Sequence, residues 1–204
     1  MAGASIFINA PYDKDFEPLF LAYLVGVLGF RLMPRAALEI GGSSNRIDRV
    51  VEMIKGSRLS IHDLSRVELS AGPPHLPRFN MPFELGMAYF YSRSEAAHQC
   101  FIFDGDHRQF EKSRSDLKGV DIYAHGSEVR RLFSQLCSAL NAQDLLPTVH
   151  DMTAVYILVE DRLPSIMADA GSDSIFHARV FERVVFAANK FWAARQVKSR
   201  SSHA

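Results

Sequence analysis

Short apolar segments alternate with helical segments over residues 1–145 of this 204-residue chain. The segments that resemble strands lie at residues 5–9, 30–33, 59–63 and 99–103, with a weaker one inside 116–123. Between them, apolar residues recur at steps of three and four, which is the spacing of a helix that packs on one face. Short strands that are apolar on both faces are typical of parallel sheets covered by helices on both sides. The alternation therefore predicts an α/β domain with a flavodoxin-like, doubly wound parallel sheet of five strands.

The strand pattern stops after Pro147, and two helical patterns follow at residues 152–167 and 175–197. We expect a C-terminal helical extension over residues 146–204 that packs back on the α/β domain or forms a dimer contact. The second helix carries more apolar residues than an exposed tail normally shows. These residues include Phe176, Val180, Phe181, Val184 and Trp192. The pattern predicts a homodimer formed through the C-terminal helices.

The composition gives no sign of a nucleic-acid or membrane partner. The chain has 23 basic and 23 acidic residues, so its formal net charge is zero, whereas nucleic-acid binding needs a basic surface. No stretch reaches the roughly 18 apolar residues that span a bilayer, and the first residues do not resemble a signal peptide. We therefore expect a cytoplasmic protein. Cys100 and Cys137 lie in apolar patterns without metal-ligand spacing, so we expect buried free thiols and no metal site.

A carboxylate lies within one of the most apolar helical segments of the chain, residues 77–90 (PRFNMPFELGMAYF). Asn80 is a good N-cap, and Pro82 is tolerated in the first turn. The segment is apolar on nearly every side, so we expect a largely buried helix. Glu84 is four residues after Asn80, whereas a capping box needs three. The glutamate is therefore either a partner of the helix dipole or a functional group.

Polar residues follow the predicted strands at their carboxyl ends, where open parallel sheets bind ligands. They are Asn9 and Tyr12 (with Pro11) after the first strand, Asp63 and Ser65 after the third, and Asp104 after the fourth. Glu84 follows the third strand, so we expect it to face the same crevice. Converging carboxylates shift each other's pKa, and one of them could act as a nucleophile or a base.

Each of these polar residues also has a structural interpretation. Asp63 could cap the turn at Ser65, the Asp104–Gly105 pair is typical of a turn, and Tyr12 could simply cover the crevice. His62 alternates with apolar residues along its strand, which favours a packed histidine over a ligand. Both interpretations stay open for the acidic residues.

A loop that runs into a helix N-terminus is the best candidate for a phosphate site, since the chain has no GxGxxG or Walker sequence. Its residues are Gly42, Ser43, Ser44 and Arg46. The same residues are also typical of an ordinary loop and helix cap. Arg78, just before the Glu84 helix, could bind a phosphate or a carboxylate.

Three segments resemble the nucleoside 2-deoxyribosyltransferase-like and TIR-like superfamily: FINAPYD, RIDRVVEMIKGSRLSIHDLS and FNMPFELGMAYF, in that order. The most specific part is PFELG at residues 82–86, which matches the family pattern (A/P)-F-E-(L/I)-G. The resemblance covers roughly residues 4–142 and implies a flavodoxin-like fold. It also implies cleavage or transfer of the N-glycosidic bond at the ribosyl C1′ of a nucleoside, a nucleotide or NAD, which would be a substrate or ligand rather than a cofactor.

By position, the resemblance implies that Glu84 is the nucleophile and that Asp63 contacts a sugar hydroxyl or the base. Asn9 and Tyr12 would line the pocket, and the further candidate contacts are Pro11, Ser65, Arg78, Asn80 and Asp104. The deoxyribosyltransferases carry a sugar-binding aspartate where this chain has Arg78, which favours a phosphorylated or dinucleotide ligand. Members of the TIR-like branch act in bacterial antiphage defence, and transferase-like members accompany retrons, so the resemblance implies that setting as well.

Two other functions fit the same residues. One is a non-catalytic nucleotide-binding sensor or interaction module, and the other is a scaffold domain that assembles through its helices. An enzyme would need Glu84 open to a pocket beside Asp63 and Asn9. A module or scaffold would instead have Glu84 paired to Arg78 or turned to a cap.

Overall fold

The computed structural model describes residues 4–39, 45–66, 79–105, 117, 119–143 and 146–201, with side chains as far as Arg195. Its centre is a sheet of five strands. They are β1 (Ser5–Asn9), β2 (Met33–Arg35), β3 (Leu59–Asp63), β4 (Gln99–Asp104) and β5 (Ile122–Ala124). Every neighbouring pair is parallel, in the order β2-β1-β3-β4-β5. This order confirms the predicted flavodoxin-like, doubly wound sheet.

Helices cover both faces of the sheet. They are α1 (Glu17–Gly29), α2 (Arg46–Lys55), α3 (Asn80–Ser94) and α4 (Val129–Ala139). Successive side chains of a strand point to opposite faces. Accordingly, Ile6 and Ile8 of β1 join the cluster of α1 and α4, whereas Phe7 packs against Val50 of α2 and Ala88 of α3. The sheet is therefore buried on both sides, as its apolar strands require.

The C-terminal segment forms three helices, α5 (Val149–Glu160), α6 (Leu163–Ala170) and α7 (Ala178–Ser201). The first predicted helix, residues 152–167, was wrong as one continuous element. Pro164 has no N–H, and its ring would clash with the carbonyl of Glu160 in an unbroken helix. A new helix therefore begins at Leu163, with the proline in its first turn.

Helices α5 and α7 pack on α1, α6 packs on α5 and α7, and all three join the hydrophobic cluster of α1. Trp192 Nε1 donates a hydrogen bond of 2.9 Å to the carbonyl of Val25. Four of the five residues on which the dimer prediction rested are buried within this chain: Val180, Phe181, Val184 and Trp192. Phe176 is partly buried in the same cluster. The homodimer stays a prediction, but these residues already pack inside one copy.

The second strand begins three residues later than predicted. Helix α1 runs to Gly29, and the turn that ends it uses the next residues: Arg31 N–H donates to Leu28 O, and Leu32 N–H donates to Val27 O. Arg31 takes a left-handed conformation with φ of 58°. The apolar run that suggested a strand is therefore the C-terminal cap of a helix.

Two expectations for α3 were wrong. Only one face is buried, and Phe79, Phe83 and Phe90 are exposed, because α3 lies in the outer layer and its other sides face away from the sheet. The helix starts at Asn80 itself, after Phe79 and without a side-chain cap. Cys100 and Cys137 are free, as expected, but only partly buried. No helix in the described ranges is long and apolar enough to cross a membrane.

Candidate functional site

The strand order reverses between β1 and β3, and open α/β sheets bind ligands beyond the carboxyl ends of the strands at such a point. Asn9 ends β1 and Asp63 ends β3. Their side chains take opposite sides of the sheet. Asn9 Nδ2 donates to the carbonyl of Met81 on α3 at 3.2 Å, whereas Asp63 Oδ2 accepts from the hydroxyl of Tyr23 on α1 at 2.6 Å. The predicted site residues therefore form two clusters.

The first is the Glu84 cluster, which consists of Asn9, Tyr12, Arg46 and Glu84. Glu84 is held inward because it shares the buried face of α3. That face carries Met81, Glu84, Leu85 and Ala88. The Glu84 side chain is 8% exposed, and its Oε1 lies 3.7 Å from Nη2 of Arg46. Burial raises the pKa of the Glu84 carboxyl, and the Arg46 guanidinium lowers it in part. A buried carboxylate at a ligand-binding edge is a candidate for chemistry.

Tyr12 brings a phenol near the same carboxylate. Its ring packs against Phe20 of α1 and Phe176 of the segment before α7, with ring centroids 5.7 Å and 5.3 Å away. Burial and the negative charge of Glu84 raise the pKa of Tyr12 well above its ordinary value, while the positive charge of Arg46 opposes them. The phenol therefore stays protonated at neutral pH, so it can donate a hydrogen bond but is a poor base.

Asn9 ties the strands β1 and β3 to the first turn of α3. Its Nδ2 lies 3.0 Å from Nδ1 of His62 on β3 and also donates to the Met81 carbonyl on α3. Met81 is one turn before Glu84, so the amide fixes the start of α3 relative to the sheet. His62 is fully buried, as the sequence predicted for a packed histidine.

The second is the Asp63 cluster, which consists of Tyr23, Asp63, Ser65 and His125. Asp63 Oδ1 accepts from the Ser65 N–H at 2.9 Å and from the Ser65 hydroxyl at 2.6 Å. Its Oδ2 accepts from Tyr23 at 2.6 Å and lies 3.0 Å from Nε2 of His125. Nδ1 of His125 accepts the N–H of Ser127 at 3.0 Å, which leaves the proton on Nε2. Asp63 thus caps the turn at Ser65 and is closed to solvent, so its role as a sugar contact stays a prediction that would require this network to open.

The other predicted site residues lie around these clusters. Pro11 is buried beside Tyr12, and Asn80 is the exposed first residue of α3. Asp104 is a buried residue at the end of β4, and its backbone oxygen accepts from the His125 N–H at 3.0 Å. The remaining candidates, Gly42, Ser43, Ser44 and Arg78, lie outside the described residues.

Sequence reasoning missed three residues that shape the two clusters. His125 follows β5 directly, so the rule applied to the other strand ends could have found it. Tyr23 shows only as part of the apolar stripe of α1, and nothing nearby in the sequence marks its bond to Asp63. Phe176 was taken for a dimer contact, whereas its ring packs against Tyr12.

No protein-family model matches the chain, and no curated protein matches it. Among solved structures, the chain is similar to one described as a "Putative pilus assembly-related protein" from Burkholderia pseudomallei, with 18% sequence identity and a TM-score of 0.40. The match covers 72% of this chain and 96% of that chain. A likeness of this size says nothing of function, so the candidate site rests on its own geometry.

Proposed function

We propose that this protein is an N-glycosidase or ribosyltransferase that acts at the C1′ glycosidic bond of a nucleoside, a nucleotide or NAD, with Glu84 as its nucleophile. The observation that carries the proposal is the buried Glu84 carboxylate beside the switch point of the sheet, close to the Tyr12 phenol and the Arg46 guanidinium. The resemblance of the PFELG segment to the deoxyribosyltransferase-like superfamily supports the same role.

The chemistry follows from the charge that develops at C1′. As the bond from C1′ to the base nitrogen breaks, the base leaves with the bonding electrons. A purine or pyrimidine base then takes a proton from water, whereas the nicotinamide of NAD leaves as a neutral molecule. The anomeric carbon becomes positive, and a Glu84 oxygen bonds to it, as carboxylates do in retaining glycosidases. Water or an acceptor hydroxyl then attacks C1′, loses its proton and releases the Glu84 carboxylate. Exclusion of water strengthens the attraction between Glu84 and the positive carbon.

The neighbours of Glu84 have supporting roles in this proposal. Tyr12 keeps its proton, so its hydroxyl can donate to a sugar or phosphate oxygen. Asn9 positions the first turn of α3 through the Met81 carbonyl. Asp63 lies on the opposite side of the sheet from Glu84, where its hydrogen bonds hold the ends of β3 and β5 together.

The pair between Arg46 and Glu84 favours one alternative, a nucleotide-binding sensor without catalysis. In a sensor, this pair would help to hold α2 and α3 together, and Glu84 would not act as a nucleophile. Glu84 is paired to an arginine, although to Arg46 rather than to the expected Arg78, and in the described part of the chain it shares no crevice with Asp63, which lies on the other side of the sheet.

Base release from NAD, the deoxynucleosides and the nucleoside monophosphates tests the proposal. We expect release from at least one compound and a loss of about 100-fold or more in Glu84→Gln, which keeps the shape of the side chain and removes its charge. Glu52→Gln makes the same change at an exposed position of α2 and should release base at the native rate. Release that survives in Glu84→Gln would reject Glu84 as the nucleophile. Binding of a nucleotide without release would favour the sensor.

A further inference from the structure

We propose that the ligand of the Glu84 cluster is a phosphorylated nucleoside, and that its phosphate draws the Arg46 guanidinium away from Glu84. The role of the freed Glu84 as a nucleophile rests on the proposed function, but the binding of the phosphate by Arg46 does not. It makes Arg46 the group that distinguishes a nucleotide from a nucleoside.

The contact between the two side chains is loose. The distance of 3.7 Å from Arg46 Nη2 to Glu84 Oε1 satisfies an ion pair but exceeds an ordinary hydrogen bond. A committed arginine–carboxylate pair is normally shorter and often bidentate. Arg46 can therefore leave Glu84 by giving up only one long, weak contact.

The two partners differ in how much they are exposed. The Glu84 side chain is 8% exposed and the Arg46 side chain 56% exposed. Arg46 is the first residue of α2 and reaches from the surface toward a buried carboxylate. A movement of its guanidinium toward a ligand would disturb no part of the hydrophobic core.

Two other arginines at this edge of the sheet also lie near carboxylates, Arg35 in a short contact and Arg66 in one as long as that of Arg46. Arg35 Nε, at the end of β2, lies 2.9 Å from Glu39, and Arg66 Nε, after β3, lies 3.7 Å from Asp13. Asp13 is not part of the Glu84 cluster, and Glu39 borders it, since its negative charge helps to raise the pKa of Tyr12. Arg46, in contrast, pairs with the carboxylate that the reaction would need. Among the described residues, Arg46 is the cation within ion-pair distance of Glu84.

The charge balance of the reaction selects the ligand. A guanidinium beside Glu84 neutralises the nucleophile and repels the positive charge that develops at C1′. A neutral nucleoside provides nothing that would hold Arg46 elsewhere. A phosphate provides a doubly charged partner with oxygens that match the planar guanidinium. A nucleotide can therefore bind the arginine and free the carboxylate in one event.

The test compares each of the four common nucleosides with its 5′-monophosphate, by calorimetric binding and by base release. We expect the native protein to bind at least one monophosphate about tenfold or more tightly than its nucleoside. Arg46→Gln should bring this ratio close to one by losing affinity for the monophosphate, and Arg46→Lys should fall between the two. Lys55→Gln removes a charge of the same sign from the exposed far end of α2 and should keep the native ratio.

The outcomes separate this inference from the proposed function. Binding that depends on phosphate and on Arg46, without base release, would support the inference and reject the activity on these nucleotides. Equal binding of nucleosides and monophosphates, or a native ratio in Arg46→Gln, would overturn the inference even if base is released. Failure to bind any monophosphate of the panel would overturn the inference, whereas the proposed function would fall only if NAD also released no base. A melting temperature of Arg46→Gln near that of the native protein would show that the variant is folded.

Discussion

The Nδ2 of Asn9 lies 3.0 Å from the Nδ1 of His62, and this contact determines the state of a fully buried histidine. An amide nitrogen can only donate, so Nδ1 accepts and the proton of the neutral ring is on Nε2. Nε2 is buried without a hydrogen-bond partner in the described part of the chain. Burial and the nearby His98 lower the pKa of His62 to about 3. The interior of the sheet beside Asn9 therefore contains a histidine that resists protonation.

This histidine should make the fold sensitive to mild acid. In the unfolded chain His62 takes up a proton below about pH 6.5, but in the folded protein only near pH 3. The contribution of neutral His62 to the free energy of unfolding is therefore complete above pH 6.5. It falls by up to about 1.4 kcal/mol per pH unit as the pH drops from 6.5 toward 3. Urea unfolding between pH 7.5 and pH 4.5 measures the slope, which should be smaller in His62→Gln.

Burial also lowers the pKa of His98, so His98 adds to the slope in both the native protein and the His62→Gln variant. His150→Gln, at an exposed position of α5, is the matched control and should keep the native slope. An equal slope in the native protein and in His62→Gln would contradict the assignment of this proton to His62.

The hydrogen bonds to Asp63 predict that loss of a single hydroxyl will lower the free energy of unfolding substantially. Burial alone would raise the pKa of Asp63, but hydrogen bonds from His125, Ser65 and Tyr23 hold it below its ordinary value. Tyr23→Phe removes one of these donors from a buried charge and should lower the free energy of unfolding by about 1.5–3 kcal/mol.

Tyr156→Phe is the control for this change, because its hydroxyl donates to Glu160 at the surface at 2.9 Å. It should cost less than about 1 kcal/mol, since the exposed Glu160 can bond to water instead. Urea unfolding at pH 7 measures both variants. Equal losses would mean that the buried charge of Asp63 does not need the Tyr23 hydroxyl.

Two glycines in helices should respond to alanine in opposite directions. A Cβ at Gly29 would lie 2.7 Å from the ring of Trp192 and 3.1 Å from Pro147, so Gly29→Ala should destabilise by about 1–3 kcal/mol. A Cβ at Gly86 on the exposed face of α3 meets nothing within 4 Å. Gly86→Ala should therefore stabilise by about 0.5–1 kcal/mol through helix propensity. Thermal melting compares the two, and a stabilising Gly29→Ala would show that α7 does not hold Trp192 against α1.

The parts of the fold that were predicted well depend on local signals. Strands β1 and β3 are apolar runs that end at polar residues, and their predicted bounds agree with the structure. β2 was misplaced because the cap of α1, with Arg31 at positive φ, uses the same apolar residues. The burial of α3 was overestimated because composition does not show which sides of a helix have a neighbour.

The candidate site also has parts that the sequence predicted and parts that it did not. The rule that ligands bind at strand ends selected Asn9, Tyr12 and Glu84 without knowledge of the distances between them. It did not show that Asn9 and Asp63 point to opposite faces of the sheet. Asn9 pairs with His62 in the neighbouring strand, and Asp63 is the next residue of that strand, so its side chain points to the other face. The pair between Arg46 and Glu84 joins two helices, and no spacing within either helix predicts it.

The proposed homodimer through the C-terminal helices can be tested at Phe186 of α7. This residue is 70% exposed and lines a groove of 470 Å³ between α6 and α7, where Asp169 pairs with Arg183 of its own chain at 3.6 Å. A second copy related by a two-fold axis could place its own phenylalanine in the groove. Phe186→Ser should therefore shift the protein from dimer to monomer in sedimentation equilibrium. Phe90→Ser, at a 76% exposed position of α3, should leave the dimer intact. A native protein that sediments as a monomer at all concentrations would reject the dimer, and a dimer lost only in Phe90→Ser would move the contact to α3.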